Sequence, residues 1–340
     1  MASLSGVILL GCGGVKTAPT NTDAAVGTVD ATISADGAIE IDASMVCNTR
    51  LALIRYNTQF DIFTVNQNGS KLKNLTHSAE ANDVRPEWSP DGQQIAFVMN
   101  QVPTPGIFVM NADGSGVKLL AARGGSQQWS PGGKKIAFTR QEQIFVMNAD
   151  GSGQKQLTTA GGNEPQWTPD GKTLVFHAAR NNVLDIYSIN IDGSGETNLT
   201  LANKMFDLNP RVSPDGTQIV FQSGPTAQTT HITEMNLDGS GRTSYFAGGT
   251  SEENPRFSPD GTQIVFTSGP AVMVSGTDGK NLITVATGNF PSWSPKGDAI
   301  AYQDGDKGGV GIADPTVANS GQAITNGGSS ASIVWQPCTP

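Results

Sequence analysis

Short apolar runs recur along this chain at regular intervals: Ile95-Ala96-Phe97, Ile136-Ala137-Phe138, Leu174-Val175-Phe176, Ile219-Val220-Phe221, Ile264-Val265-Phe266 and Ile300-Ala301-Tyr302. Each is bounded by turn residues, and no useful stretch keeps a helical period. Such runs predict buried strands. A second set follows, with Ile107-Phe108-Val109-Met110, Ile144-Phe145-Val146-Met147 and Ile186-Tyr187-Ser188-Ile189. Short segments such as Leu157-Thr158 and Leu199-Thr200 close each unit as a fourth strand.

The polar residues between these runs repeat as strictly as the apolar ones. An aromatic or β-branched residue followed by a Ser-Pro-Asp-Gly-like turn occurs at Trp88–Gly92, Trp129–Gly133, Trp167–Gly171, Val212–Gly216, Phe257–Gly261 and Trp293–Gly297. The steps between the prolines are 41, 38, 45, 45 and 36 residues, which is room for four short strands and their turns. Ser at the first position, Pro at the second and Gly at the fourth are type I turn preferences. A second turn, Asp-Gly-Ser-Gly, occupies 113–116, 150–153, 192–195 and 238–241, and Asp-Gly between apolar runs is a strong hairpin signal. A single four-stranded sheet of this size is not stable alone. Sheets stacked radially bury both faces, so the pattern predicts an all-β propeller.

Six phrases give six sheets, and the chain ends supply pieces of a seventh. Leu51–Ile54, Asp61–Val65 and Leu75-Thr76 read as later strands lacking a first one, and Ser332–Pro337 reads as a first strand without a continuation. Joined, they make a seven-bladed ring with a split closing blade; six blades is the alternative, because the turn near Ala313-Asp314 has lost its Asp-Gly pattern. Three positions after Trp335 lies Cys338, and four before Leu51 lies Cys47. Both fall where an intact turn carries its Asp, so a Cys47–Cys338 disulfide is expected to stand in for the missing turn, in an oxidising compartment.

Composition narrows the partners. The net charge is −9 and no basic stripe is present, which argues against a nucleic-acid partner. Residues 1–12 end in Leu9-Leu10-Gly11-Cys12 after a short apolar run. This resembles the lipobox of bacterial lipoproteins, and Cys12 is the expected lipidation site. Residues 13–45, rich in Thr, Ala, Asp and Gly, read as a disordered tether, with some scope for local pairing between Ala31 and Ile41. Residues 46–340 are then a single propeller domain.

The phrases Trp-Ser-Pro-Asp-Gly, Ile-Ala-Phe, Ile-Phe-Val-Met-Asn and Asp-Gly-Ser-Gly resemble the PD40, or WD40-like, repeats of the TolB-like propeller family, over about residues 51–338. The resemblance implies a secreted or periplasmic propeller that binds a protein or a glycan. The family's namesake has six blades and a separate N-terminal α/β domain, and neither matches this reading.

Function in such a frame belongs to the variable loops that lead into the innermost strands. These offer Asp83, Arg85, Glu87, Glu164, Asp207, Arg211, Glu253, Arg256 and Phe290 as a ligand face around the channel mouth. Alternating Arg and acidic groups equally suit mutual pairing around the ring. The repeated turn residues Asp91, Asp170, Asp215 and Asp260 lie in separate blades and read as structural. Some seven-bladed polysaccharide lyases resemble this repeat class and use a histidine-rich manganese site. Here His177 and His231 fall in adjacent blades and His77 in a distant one, short of a ligand set. No nucleophile elbow or Walker loop occurs. The expectation is a non-enzymatic envelope scaffold without a cofactor, held to a membrane at most by a lipid; the alternatives are a lyase-type enzyme and a purely structural lipoprotein.

Overall fold

The computed structural model describes residues 30–33, 39–42, 46–47, 49–56, 58–79, 81–100, 104–201, 205–245, 251–327 and 332–339. Cys12 and the segment 1–12 lie outside them. Within 13–45, Asp30–Ile33 pairs antiparallel with Ile39–Asp42.

Every other described element is a strand too, and the pairing follows the repeat. Asp83–Trp88, Gln94–Met99, Gly106–Asn111 and Lys118–Ala122 form one antiparallel sheet. Sheets of the same plan begin at Gly125–Trp129, Asn163–Trp167 and Phe206–Val212. The next sheet has seven strands. Ile283–Trp293 pairs through its first half with Ala271–Gly276 and through its second half with Ile300–Asp304. The fourth strand of one repeat therefore runs without a break into the first strand of the next. The fourth strands begin slightly before the apolar pairs that mark them in sequence: Lys155–Gln156 and Thr197–Asn198. Leu157 and Leu199 extend the ladder by one backbone bond each, donated to the Ile144 and Ile186 carbonyls at 2.8 Å.

The core lies between the sheets. Ala96, Ile107, Val109 and Leu120 pack against Trp129, Ile136, Phe138, Phe145 and Met147 of the following sheet. The same arrangement continues around the molecule until Ala299, Ala301 and Val310 meet Leu51, Leu53, Phe63, Ile333 and Trp335. The repeated Phe97, Phe138, Phe176 and Phe221 are all fully buried. At such positions Phe→Ala typically costs about 3–5 kcal/mol.

Polar links join neighbours on the side of the short turns. Ser89, Ser213 and Ser258 each donate to the Asp two residues on, all at 2.6 Å, and Ser89 also accepts the Gln94 N–H at 2.9 Å. Gly92 closes that turn with φ +65°, a conformation that favours glycine. Five of the turn prolines lie beside the turn glycine of the next sheet, among them Pro90 beside Gly133, Pro131 beside Gly171 and Pro169 beside Gly216. Farther out, Lys73, Lys118 and Lys155 donate to the Asp113, Asp150 and Asp192 carbonyls of the following sheet at 2.7–2.9 Å.

The two ends of the chain share one sheet. Ile333–Trp335 supplies its inner strand, followed by Arg50–Tyr56, Phe60–Asn66 and Lys73–Asn74. Beside it Val46–Cys47 pairs with Cys338–Thr339, and Cys47 and Cys338 form a disulfide. Gln336 donates to the Gly92 carbonyl at 2.8 Å, and Arg55 to the Asn326 and Gly327 carbonyls at 3.0 Å.

The disulfide closes a loop with a sequence separation of 291 residues. Replacing both cysteines by alanine is expected to lower unfolding free energy by about 2–5 kcal/mol. Chemical denaturation of the double variant beside the oxidised wild type checks this. An unchanged midpoint would show that the sheet latches without its covalent bond.

Candidate functional site

Six of the inner strands are irregular in the same place. Register shifts fall between Val84 and Glu87, Gly125 and Gln128, Asn163 and Gln166, Leu208 and Arg211, Glu253 and Arg256, and Asn289 and Ser292. Inside each bulge one residue has positive φ: Arg85 (+55°), Ser126 (+49°), Glu164 (+52°), Asn209 (+54°), Asn254 (+56°) and Phe290 (+51°). Such backbone costs on the order of 1–3 kcal/mol per residue and tends to cluster where a protein binds something. Proline follows five of the six, at 86, 165, 210, 255 and 291. The inner strand is a sheet edge, where a missing N–H leaves no ladder bond unmade.

The bulges re-aim side chains. Arg85, Ser126, Glu164, Asn209, Asn254 and Phe290, together with Glu87, Gln128, Gln166, Arg211 and Arg256 two residues after five of them, line a cavity of about 550 Å³. Ile333 and Val334 of the closing sheet complete the wall. Three of the tryptophans that end inner strands hold this ring from behind. Trp167, Trp293 and Trp335 donate their indole N–H groups to the carbonyls of Gln128, Arg256 and Ser292 at 3.0–3.2 Å. Gln127 donates to the Arg85 carbonyl at 2.6 Å.

The charged groups divide into paired and unpaired. Arg85 Nη1 lies 2.7 Å from Glu164 Oε1, and Ser126 bridges them, accepting from Arg85 at 3.1 Å and donating to Glu164 at 3.2 Å. Burial acts to raise the Glu164 carboxyl, but the charge and hydrogen bond of Arg85 outweigh it and hold the group below its ordinary value. Glu87 is placed differently. Burial pushes it up to about 8, although its Oε1 accepts the Trp129 N–H at 3.2 Å and Arg211 and Arg256 oppose the shift. At neutral pH it is mostly an uncharged acid. Burial lowers both Arg211 and Arg256, the latter, with the like charge of Arg211, to about 9. Both remain cationic at neutral pH. Among the described residues no carboxylate approaches either guanidinium within 4.0 Å. Arg211 donates to its neighbouring Pro210 carbonyl at 2.9 Å.

The candidates named from the sequence therefore separate. Arg85, Glu87, Glu164, Arg211, Arg256 and Phe290 line the cavity. Asp83 and Asp207 do not belong to a ligand face: both are 0% exposed. Ser78 donates to Asp83, and Arg242 donates to both Asp207 oxygens at 2.9 and 3.2 Å. Residues at this position, two before the bulge residue, face into the sheets, so the chain there is either a buried acid (Asp83, Asp207, Glu252) or a glycine (124, 162, 288). A Cβ at Gly288 would lie 2.1 Å from the Gln303 carbonyl oxygen. Glu253 is exposed and accepts from Ser251 at 3.2 Å, away from the cavity wall. His177 accepts the Asn209 N–H at 3.4 Å, and burial pulls it down to about 4, so it is neutral. His231 lies 3.7 Å from Glu252. Among the described residues no three His, Cys, Asp or Glu side chains group as a metal-ligand set. The turn aspartates each serve their own turn, as in Thr168 to Asp170 and Ser258 to Asp260, both 2.6 Å.

Sequence reasoning overlooked the bulges, Gln128 and the apolar Val334. The signal was present. A residue, then Pro, then a polar residue, then the phrase's aromatic or Val recurs as Arg85-Pro86-Glu87-Trp88, Glu164-Pro165-Gln166-Trp167, Asn209-Pro210-Arg211-Val212, Asn254-Pro255-Arg256-Phe257 and Phe290-Pro291-Ser292-Trp293.

Against known proteins, the profile of the TolB beta propeller domain (PD40) matches residues 47–144 and 125–290. The chain belongs to the TolB β-propeller domain family. An uncharacterised protein of Agrobacterium fabrum is 32% identical over 155 residues, 40% of this chain and 52% of that protein. The Tol-Pal system protein TolB of Francisella tularensis subsp. mediasiatica is 27% identical over 192 residues, 52% of this chain and 43% of that one. The chain thus spans about half the length of the curated relatives it matches. A solved oligogalacturonate lyase in complex with manganese superposes with a TM-score of 0.63, covering 82% of this chain and 86% of the lyase. At 11% identity that likeness is one of fold. In this TolB-family propeller the variable chemistry is the ring of bulge residues.

Two measurements follow from the charges. Arg242→Ala strips the guanidinium from the buried Asp207 and is expected to cost about 3–5 kcal/mol of stability. Arg85→Ala, at a half-exposed pair, is expected to cost less than about 1 kcal/mol; urea unfolding of both variants checks the contrast. Glu87 binds a proton more tightly folded than unfolded, so its contribution is full below the ordinary glutamate range near 4.5 and is lost as pH rises through about 8. Glu87→Gln should therefore flatten the fall in stability between about pH 5 and pH 8, read from unfolding midpoints at several pH values. An identical pH slope in wild type and variant would refute this placement of the proton.

Proposed function

We propose that this chain is a non-enzymatic scaffold of a bacterial cell envelope that captures a protein on the face where its inner strands begin. The observation that carries the reading is the ring of strained bulges, which recur at the same place in six inner strands but bear different side chains. A rigid frame with variable side chains around one mouth suits recognition. The relatives support the choice of partner class, since TolB of Francisella tularensis is by name a protein of the Tol-Pal system. The same reading places the domain in the periplasm or at the outer surface, where the Cys47–Cys338 disulfide persists, with Cys12 as its lipid anchor and residues 13–45 as the tether.

The ring is read as seven-bladed. The seven-stranded sheet counts as two blades sharing the strand Ile283–Trp293, beside five sheets of four strands including the closing one. Hydrophobic clusters lie between each neighbouring pair in turn.

The likeness in fold to an oligogalacturonate lyase supports a second reading, a glycan-binding or lyase-type propeller, in which His177 and His231 would be the residues to test.

Triple reversal of Arg85, Arg211 and Arg256 to Glu is the decisive variant. A protein captured reproducibly by the wild-type chain from envelope extract should be lost, with circular dichroism unchanged. Stoichiometric manganese in the purified protein together with release of unsaturated uronides would establish the lyase reading instead.

A further inference from the structure

We propose that the channel mouth is a carboxylate receptor, in which Arg211 and Arg256 take an acidic side chain from an extended segment of the partner. This deepens the reading above and rests on its choice of a protein partner.

Cationic charge is in excess at this wall, where three guanidiniums face two carboxyl groups. The whole chain carries a net charge of −9, yet three of the charged groups in this cavity are guanidiniums: Arg85, Arg211 and Arg256. One carboxylate, Glu164, is already engaged by Arg85 at 2.7 Å and by Ser126 at 3.2 Å. The other, Glu87, is turned to the Trp129 N–H at 3.2 Å. Glu164 and Glu87 attract Arg211 and Arg256 from a distance, but among the described residues no carboxylate comes within 4.0 Å of either guanidinium. Two like charges sharing a partly desolvated wall repel each other, and the arrangement is costly until an anion arrives. Such a cost is common at sites that gain their stabilisation from a ligand.

The neighbours are consistent with a peptide. A guanidinium presents parallel N–H donors that match the two oxygens of a planar carboxylate. Phe290, 39% exposed, offers an apolar contact at the same wall. Asn254 brings an amide that suits the backbone of an extended chain. The cavity, about 550 Å³, is far larger than a lone inorganic anion requires. Arg256 is also held from behind, its carbonyl accepting the Trp293 indole at 3.2 Å, so the receptor is preorganised on the frame rather than on a mobile loop.

The test uses the full chain and a displayed library of random heptapeptides. Peptides selected on wild type are expected to be enriched in Asp or Glu. For a selected peptide, Arg256→Gln and, separately, Arg211→Gln should weaken binding by at least about thirtyfold. Replacing the peptide's acid by its amide should cost as much, and the two changes together should cost little more than either alone. In the free protein Arg256→Gln should raise the unfolding midpoint, because it removes the repulsion; a merely structural arginine would lower it. Selected peptides without acidic enrichment, or binding indifferent to both variants, would sink the carboxylate receptor while leaving the scaffold reading intact. Failure to select any peptide, with trigalacturonate binding instead in calorimetry and lost in Arg256→Gln, would overturn both.

Discussion

A four-stranded sheet in this protein has two apolar faces and no layer of its own to cover them. Each face must find another sheet, and the last must find the first. That constraint governs most of what is visible in the chain. It explains why the fully buried side chains form clusters between sheets rather than one central core, and why Phe recurs at the same position of Gln94–Met99, Lys135–Arg140, Thr173–Arg180 and Gln218–Thr226. It also explains the closing sheet. If Ile333–Trp335 did not pair with Arg50–Tyr56, Leu51, Leu53 and Ile333 would be exposed together. The Cys47–Cys338 bond, the Gln336 contact to Gly92 and the Arg55 contacts to Asn326 and Gly327 all act at that one seam.

Closure has a second consequence, at the opposite end of the structural hierarchy. The innermost strands are edges that face one another around a channel, with no further strand to pair. Unpaired edges invite association, and bulges and prolines are common protections. Here the same devices set the side chains of the channel mouth. The positive φ at Arg85, Glu164, Asn209, Asn254 and Phe290 and the prolines after them blunt the edge and aim the ring in one step. Protection of the frame and presentation of the site are inseparable, which is why the site's variability lies in side chains rather than in backbone.

The acidic residues near the ring illustrate how little a charge pattern says by itself. Asp83, Asp207 and Glu252 are separated from Arg85, Asn209 and Asn254 by a single residue, yet they turn into the sheets and are fully buried. In an extended strand alternate residues share a face, and the bulge breaks that rule just where the sequence places its charges. Arg242, 35 residues from Asp207 in sequence, is its partner, and the cationic balance at the mouth follows from that withdrawal of carboxylates.

The repeat by itself determined the strands, the turns and the family, because each depends on local chemistry: apolar runs of strand length, Ser-Pro-Asp-Gly and Asp-Gly-Ser-Gly at fixed spacing. Even the disulfide was legible, since a broken repeat shows where its halves must meet. Arg85, Glu87, Glu164, Arg211, Arg256 and Phe290 could be named for the mouth because the repeat says which loops lead inward. Only the tertiary structure decided which acids reach the cavity and which are buried, that Arg85 pairs with Glu164 across Ser126, and that among the described residues no carboxylate comes within 4.0 Å of Arg211 or Arg256. Those are distances between residues of different sheets. They depend on how the ring closes, and no run of neighbouring residues encodes them.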